Sequence, residues 1–148
     1  MVANGDTSKK PSDANSRSLR EPVFFVDRSL GRKVIPDALR AAGEEIRVHD
    51  DYFPQDAKDE VWLAEAGRQG WIVLTKDKQI RYREVEVRTL LEARVRAFIL
   101  TAKGDLTGAE VGQIFVQAMP AIKKLCRTRP PPFIARVSRV GKVSLVKA

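Results

Sequence analysis

An α/β fold built on a mainly parallel sheet is what this sequence predicts, and three observations carry it. Two short runs, VFFV at 23–26 and WIVL at 71–74, are continuously apolar, as strands buried on both faces must be. Segments with helical spacing stand between the strand candidates, so the chain reads βαβαβ, a succession that needs crossovers and hence parallel strands. Near the end, FIARVSRV and KVSLV alternate apolar and polar side chains on either side of Gly141, the pattern of a hairpin or of edge strands.

Taken in order, residues 1–21 are rich in Ser, Asn, Lys and Asp and nearly free of large apolar side chains. They cannot bury enough surface to offset the entropy of ordering, so a flexible arm is expected there and a folded domain over 22–148. The first strand starts after Pro22 and ends at Asp27. In GRKVIPDALRAAG, Val34, Ile35, Ala38, Leu39 and Ala42 fall at helical spacing. Ser29 is placed to cap that helix, Pro36 to mark its first turn and Gly43 to stop it. EEIRVHDDYF reads as a second strand, with Ile46 and Val48 alternating against charged neighbours and with His49 and Asp51 at its end.

A loop through Pro54 leads to a helix of about a dozen residues, DEVWLAEAGRQG, which stops at Gly70. WIVL follows as the central strand, with Thr75 and Asp77 at its exit. A helix around YREVEVRTLLEAR and a fourth strand, VRAFIL, come next. The long helix LTGAEVGQIFVQAMPAIKKLC has Thr107 and Glu110 at capping-box spacing, and Pro120 predicts a kink or break. Val111, Ile114, Phe115, Ala118, Ile122 and Leu125 form its core face, and Cys126 reads as a small buried residue of that helix.

Composition bounds the function. With 148 residues, 43% of them hydrophobic and 31% charged, the chain suits one soluble domain. No stretch approaches the ~20 apolar residues of a membrane span and the first residues lack the apolar run of a secretory signal, so the cytoplasm is the expected compartment. The lone Cys126 excludes an intrachain disulfide and has no Cys/His partners for zinc. GxSxG, GxxxxGK[ST], GxGxxG and HExxH are all absent, which removes the common hydrolase, NTPase, dehydrogenase and zinc-protease readings. Of the net charge of +8, six units come from residues 127–148, which hold Arg127, Arg129, Arg136, Arg139, Lys142 and Lys147 and no acid. A basic strip of this kind suits the phosphates of a polyanion, or a solubilising tail.

Three aspartates stand where an apolar run meets a turn or helix: Asp27 in PVFFVDRSLGRK, Asp59 in PQDAKDEVWLAEA and Asp77 in GWIVLTKDKQIR. Side chains at the carboxyl ends of parallel strands converge on one rim, so these acids can meet in space. Facing carboxylates repel unless a cation neutralises them, and all-oxygen ligands select hard ions such as Mg²⁺ or Mn²⁺. Taken singly, each acid also suits a turn or a helix cap, Asp59 especially. Arg28, Arg32 and Lys33 after Asp27, and Lys76, Lys78, Arg81 and Arg83 around Asp77, could offset that repulsion or hold flanking phosphates. Tyr52, Phe53 and Tyr82 are the loop aromatics available to stack on bases.

The FFVDRSLG start, the D-E-x-W-L-A helix beginning at Asp59, the L-T-K-D strand end at Asp77 and the later AFIL-x(5)-DLTGAE stretch together resemble the PIN-like nuclease domains, in particular the VapC toxins. The resemblance runs from about Val23 to the terminal hairpin. It implies a three-layer α/β/α domain and a metal-dependent endoribonuclease, the toxin of a type II toxin–antitoxin pair. It further implies Mg²⁺ or Mn²⁺ as cofactor, held by Asp27, Asp59 and Asp77, with RNA as substrate and a cognate antitoxin protein as partner. Self-association into a homodimer is left open. PIN domains usually carry a fourth acid, for which Asp51, Asp56 and Glu60 are the candidates, Asp51 by its place after the second strand. Arg28, Lys33, Lys76 and Arg81 are the candidate phosphate contacts. The alternatives are a non-catalytic nucleic-acid- or protein-binding module on the same fold and a receiver-type phosphoacceptor. The latter needs paired acids after the first strand, where Arg28 follows Asp27 instead.

Overall fold

The computed structural model describes residues 22–76, 84–102 and 104–148. The expected N-terminal arm over 1–21, and Asp77, Lys78, Arg81, Tyr82 and Arg83, lie outside the described residues.

The elements follow the predicted order. β1 (Val23–Val26) leads through a 3₁₀ turn (Arg28–Leu30) to α1 (Val34–Ala41). Then come β2 (Glu45–Val48), the short α2 (His49–Tyr52), α3 (Asp59–Gln69), β3 (Ile72–Thr75), α4 (Glu84–Glu92), β4 (Arg96–Leu100), α5 (Gly108–Thr128), β5 (Phe133–Val137) and β6 (Val143–Lys147). One sheet holds all six strands in the order β2-β1-β3-β4-β5-β6. Every neighbouring pair is parallel except β5 with β6, which is the antiparallel hairpin expected around Gly141. Gly141 has φ +82°, a value that favours glycine, and its amide closes the turn on the Ser138 carbonyl.

Both faces of the sheet are covered, which is why β1, β3 and β4 read as unbroken apolar runs. Alternate side chains divide between two cores. Phe24, Val26, Ile72, Leu74 and Phe98 pack with Ile35 and Leu39 of α1 and with Val111, Phe115 and Ile122 of α5. Phe25, Val73, Ala97 and Ile99 pack with Trp62, Leu63 and Ala66 of α3 and with Leu90 of α4. The fold is thus the three-layer α/β/α sandwich.

Four expectations need correction. Ser29 does not cap α1: Lys33 occupies that position without a side-chain bond, and Ser29 instead bonds Asp27. The second strand ends at Val48, and His49 to Tyr52 form a helical turn, so Asp51 sits on α2 and not at a strand end. α5 runs unbroken through Pro120, which lies on its exposed side. The basic residues of the last segment form no continuous strip. Arg139 and Lys142 flank the β5–β6 turn at the rim where β1 and β3 end, whereas Arg127 and Arg129 follow the end of α5 at the opposite rim. The Thr107/Glu110 capping box is present as expected, with both reciprocal bonds formed, Glu110 amide to Thr107 Oγ1 at 3.1 Å and Thr107 amide to Glu110 Oε1 at 2.8 Å.

Candidate functional site

Strand order 2-1-3-4-5 places a topological switch point between β1 and β3, where the connections leave in opposite directions and open a crevice at the carboxyl ends of the strands. Asp27 is the first residue beyond β1. Its amide donates to the Leu74 carbonyl of β3 at 3.3 Å, which locks the two strand exits side by side.

The Asp27 carboxylate is 5% exposed and set among donors. Thr75 Oγ1 donates to Oδ2 at 2.7 Å, and the Ser29 amide donates to Oδ1 at 2.9 Å, with the Ser29 hydroxyl on the same oxygen. An aspartate bonding the amide two residues on makes an Asx turn, and that local bond bends the chain into the 3₁₀ turn directly after β1. Ser29 Oγ also lies 3.1 Å from Thr75 Oγ1 and accepts from the Lys76 amide at 3.1 Å. Ser29 and Thr75 were not singled out from the sequence as site residues. The D-x-S spacing and the threonine ending an apolar strand were the signals available.

Asp59 is the first residue of α3, not its cap, which is Lys58. Its Oδ1 accepts from Trp62 Nε1 at 3.0 Å, one helical turn on, and lies 3.7 Å from Arg28 Nη2. Arg28 is next to Asp27 in the chain, so one guanidinium ties the acid of α3 to the exit of β1. The helix-cap role open to Asp59 in the sequence is therefore not the one it plays.

The remaining predicted residues separate. Asp51, Asp56 and Glu60 are exposed, and Lys33 pairs with Asp37 along α1 at 3.8 Å. Lys76 is exposed just beyond β3, on the rim itself. Asp77 follows Thr75 by two positions and lies outside the described residues. Among the described residues no three His, Cys, Asp or Glu side chains gather as a metal would require. The donors that do meet at the switch point, a carboxylate and two hydroxyls with Asp59 attached through Arg28, are all oxygen, the chemistry that suits a hard divalent cation.

Beside the rim, His49 opens α2. It is 1% exposed and rests among Phe25, Phe53 and Trp62, with ring centroids 6.1, 5.6 and 5.7 Å away. Burial lowers its pKa from the ordinary 6.5, opposed by Asp50, whose Oδ1 is 3.5 Å from Nδ1. That separation is too long for a hydrogen bond, and both ring nitrogens and Asp50 Oδ1 are buried without a hydrogen-bond partner.

Comparison with known proteins agrees with this architecture. The family model described as PIN like domain matches residues 22–102. A Mycobacterium tuberculosis (strain ATCC 25618 / H37Rv) protein named "Putative ribonuclease VapC45" is 34% identical over 118 residues, covering 77% of this chain and 84% of that relative. No solved structure matches the chain significantly. With a family model over more than half its length and a relative aligned along most of both chains, this chain belongs to the PIN-like domain family, among the VapC-type nucleases.

Proposed function

We propose that the chain is a metal-dependent endoribonuclease that hydrolyses RNA phosphodiester bonds at the β1/β3 switch point. Asp27, Asp59 and Asp77 would hold Mg²⁺ or Mn²⁺, with a fourth acid drawn from Asp51, Asp56 or Glu60. The carrying observation is the buried Asp27 carboxylate, fixed by Thr75 and Ser29 at the one place in the sheet where a ligand crevice is built into the topology. A relative bearing the name ribonuclease supports the reaction class.

The protein's own groups have distinct tasks in this reading. Ser29 and Thr75 hold the Asp27 carboxylate in one orientation, so that its position needs no rearrangement when substrate arrives. Lys76 and Arg28, at the ends of β3 and β1, are placed to meet the phosphates on either side of the bond to be cut. A divalent ion, when bound, polarises the phosphodiester and lowers the pKa of a water that attacks in line.

We also place the protein in the cytoplasm as the toxin of a type II toxin–antitoxin pair, its acidic rim covered by a cognate antitoxin. Residues 1–21 would form an arm outside the nuclease domain of 22–148. Among the described residues no helix is long and apolar enough to cross a membrane.

Incubating purified protein and Asp27→Asn with RNA and Mg²⁺ or Mn²⁺ tests the catalytic claim. Cleavage by the wild type that chelator and Asp27→Asn both abolish is expected; no cleavage, or equal cleavage by the variant, sinks it. One observation favours a second reading, a non-catalytic binding module: the Asp59 carboxylate is already engaged by Trp62 and Arg28. That reading predicts RNA binding and thermal stability that chelator leaves unchanged.

A further inference from the structure

A cavity of about 240 Å³ opens beside the switch point, lined by Arg28, Gly31, Arg32, Val48, His49, Asp50 and Gln55. Drug-sized sites run from roughly 300 Å³ upward, so this one is scaled for a single flat ring system. Its walls come from the segments that leave β1 and β2, on the same rim as Asp27, and Arg28 is common to both.

The wall chemistry is unusual for a solvated groove. Asp50 Oδ1 is buried with no hydrogen-bond donor, and both nitrogens of His49 are buried and unpartnered. A buried acceptor left unpaired costs free energy that a ligand N–H would recover. The other oxygen, Oδ2, is contacted from the opposite side, by Gln55 Nε2 at 3.4 Å and Arg32 Nη1 at 3.9 Å. The cavity therefore presents a carboxylate beside a guanidinium.

That pair is complementary to one base. Guanine offers two adjacent donors, N1–H and N2–H₂, to the two oxygens of a carboxylate, and two acceptors, O6 and N7, to an arginine fork. Adenine and cytosine would turn a ring-nitrogen acceptor toward Asp50, and uracil would flank its single donor with two carbonyls. A base splayed from a single strand reaches such a cavity while its phosphate stays on the rim.

We propose that this cavity is a guanine subsite, in which Asp50 reads the N1/N2 edge and Arg32 the O6/N7 edge of a nucleotide next to the bond cleaved. The assignment to RNA rests on the nuclease reading, and the test separates the two. Titrating metal-free protein with GMP, AMP, CMP and UMP, followed by tryptophan fluorescence or NMR, should show GMP binding at least tenfold more tightly than the others. Asp50→Asn, which sets an amide N–H against the guanine donors, and Arg32→Ala, at a side chain 75% exposed, should each remove that preference. Equal binding of the four nucleotides, binding of none, or a preference unchanged in both variants overturns the subsite. Cut sites mapped on a mixed-sequence RNA should lie beside guanines for the wild type and spread to other bases in Asp50→Asn. Cleavage without base preference overturns the subsite and leaves the nuclease reading standing, whereas GMP selectivity in a protein that cuts no RNA does the reverse.

Discussion

Thr75 donates its hydroxyl to the buried Asp27 carboxylate at 2.7 Å, joining the exits of two strands 48 residues apart in sequence. Thr75→Val keeps the shape and β-branching of the strand residue while removing that donor. Leaving a buried acceptor short of a donor costs about 1–3 kcal/mol, which urea denaturation should register. If Asp27 holds a metal, loss of this orienting bond should also lower cleavage about 10–100-fold. Wild-type activity in Thr75→Val would remove the orienting role.

Gly67 of α3 faces the chain just after α4. A Cβ built there would collide with the Ala93 carbonyl oxygen, a backbone atom that cannot swing aside. In an open helix Gly→Ala stabilises by about 0.5–1 kcal/mol. Here the sign should reverse, and Gly67→Ala should destabilise by roughly 1–3 kcal/mol as α3 and α4 are pushed apart. A denaturation midpoint at or above that of the wild type would contradict the close approach.

The sheet was legible because its signal is one of composition. VFFV, WIVL and RAFIL are apolar on both faces, and only a covered parallel sheet uses such runs. Asp27 was legible for the same reason, since an acid ending such a run lands on the rim. Its partners were not. The bond from Thr75 spans two elements, and the turn built on Ser29 competes with a helix cap that uses the same residue type. His49 and Asp50 were misplaced because EEIRVHDDYF alternates well enough to pass for one long strand. The short helix is set by His49 packing among Phe25, Phe53 and Trp62, contacts made through tertiary structure. Asp59 shows the reverse case, with its segment correctly read as a helix start and its role decided by Trp62 and Arg28.

Cys126 is buried on α5, and its pKa is pushed up to about 12 by that burial, against the opposing charges of Arg96 and Arg127. The reactive species is the thiolate, so the native thiol should be inert to a disulfide reagent at neutral pH. Labelling should then proceed only as fast as the helix opens, and should accelerate in denaturant in step with unfolding followed by circular dichroism. Stoichiometric labelling within seconds of mixing under native conditions would show that Cys126 is reachable in the folded chain.

His49 should set a limit on stability in mild acid. Its folded-state pKa lies below the ordinary 6.5, chiefly because burial disfavours the imidazolium, while in the unfolded chain the ring titrates near 6.5. As pH falls through 6.5 the unfolded state takes up a proton first, so it binds more protons than the native state and stability declines; below the folded-state pKa both forms are charged and this contribution levels off. Above 6.5 both are neutral and His49 adds no slope. Thermal midpoints measured from pH 7.5 down to 5 should therefore drop for the wild type. In His49→Phe, which keeps an aromatic ring against Phe25, Phe53 and Trp62 but cannot titrate, the slope below pH 6.5 should be shallower. Parallel curves for the two proteins would assign the acid sensitivity to other groups.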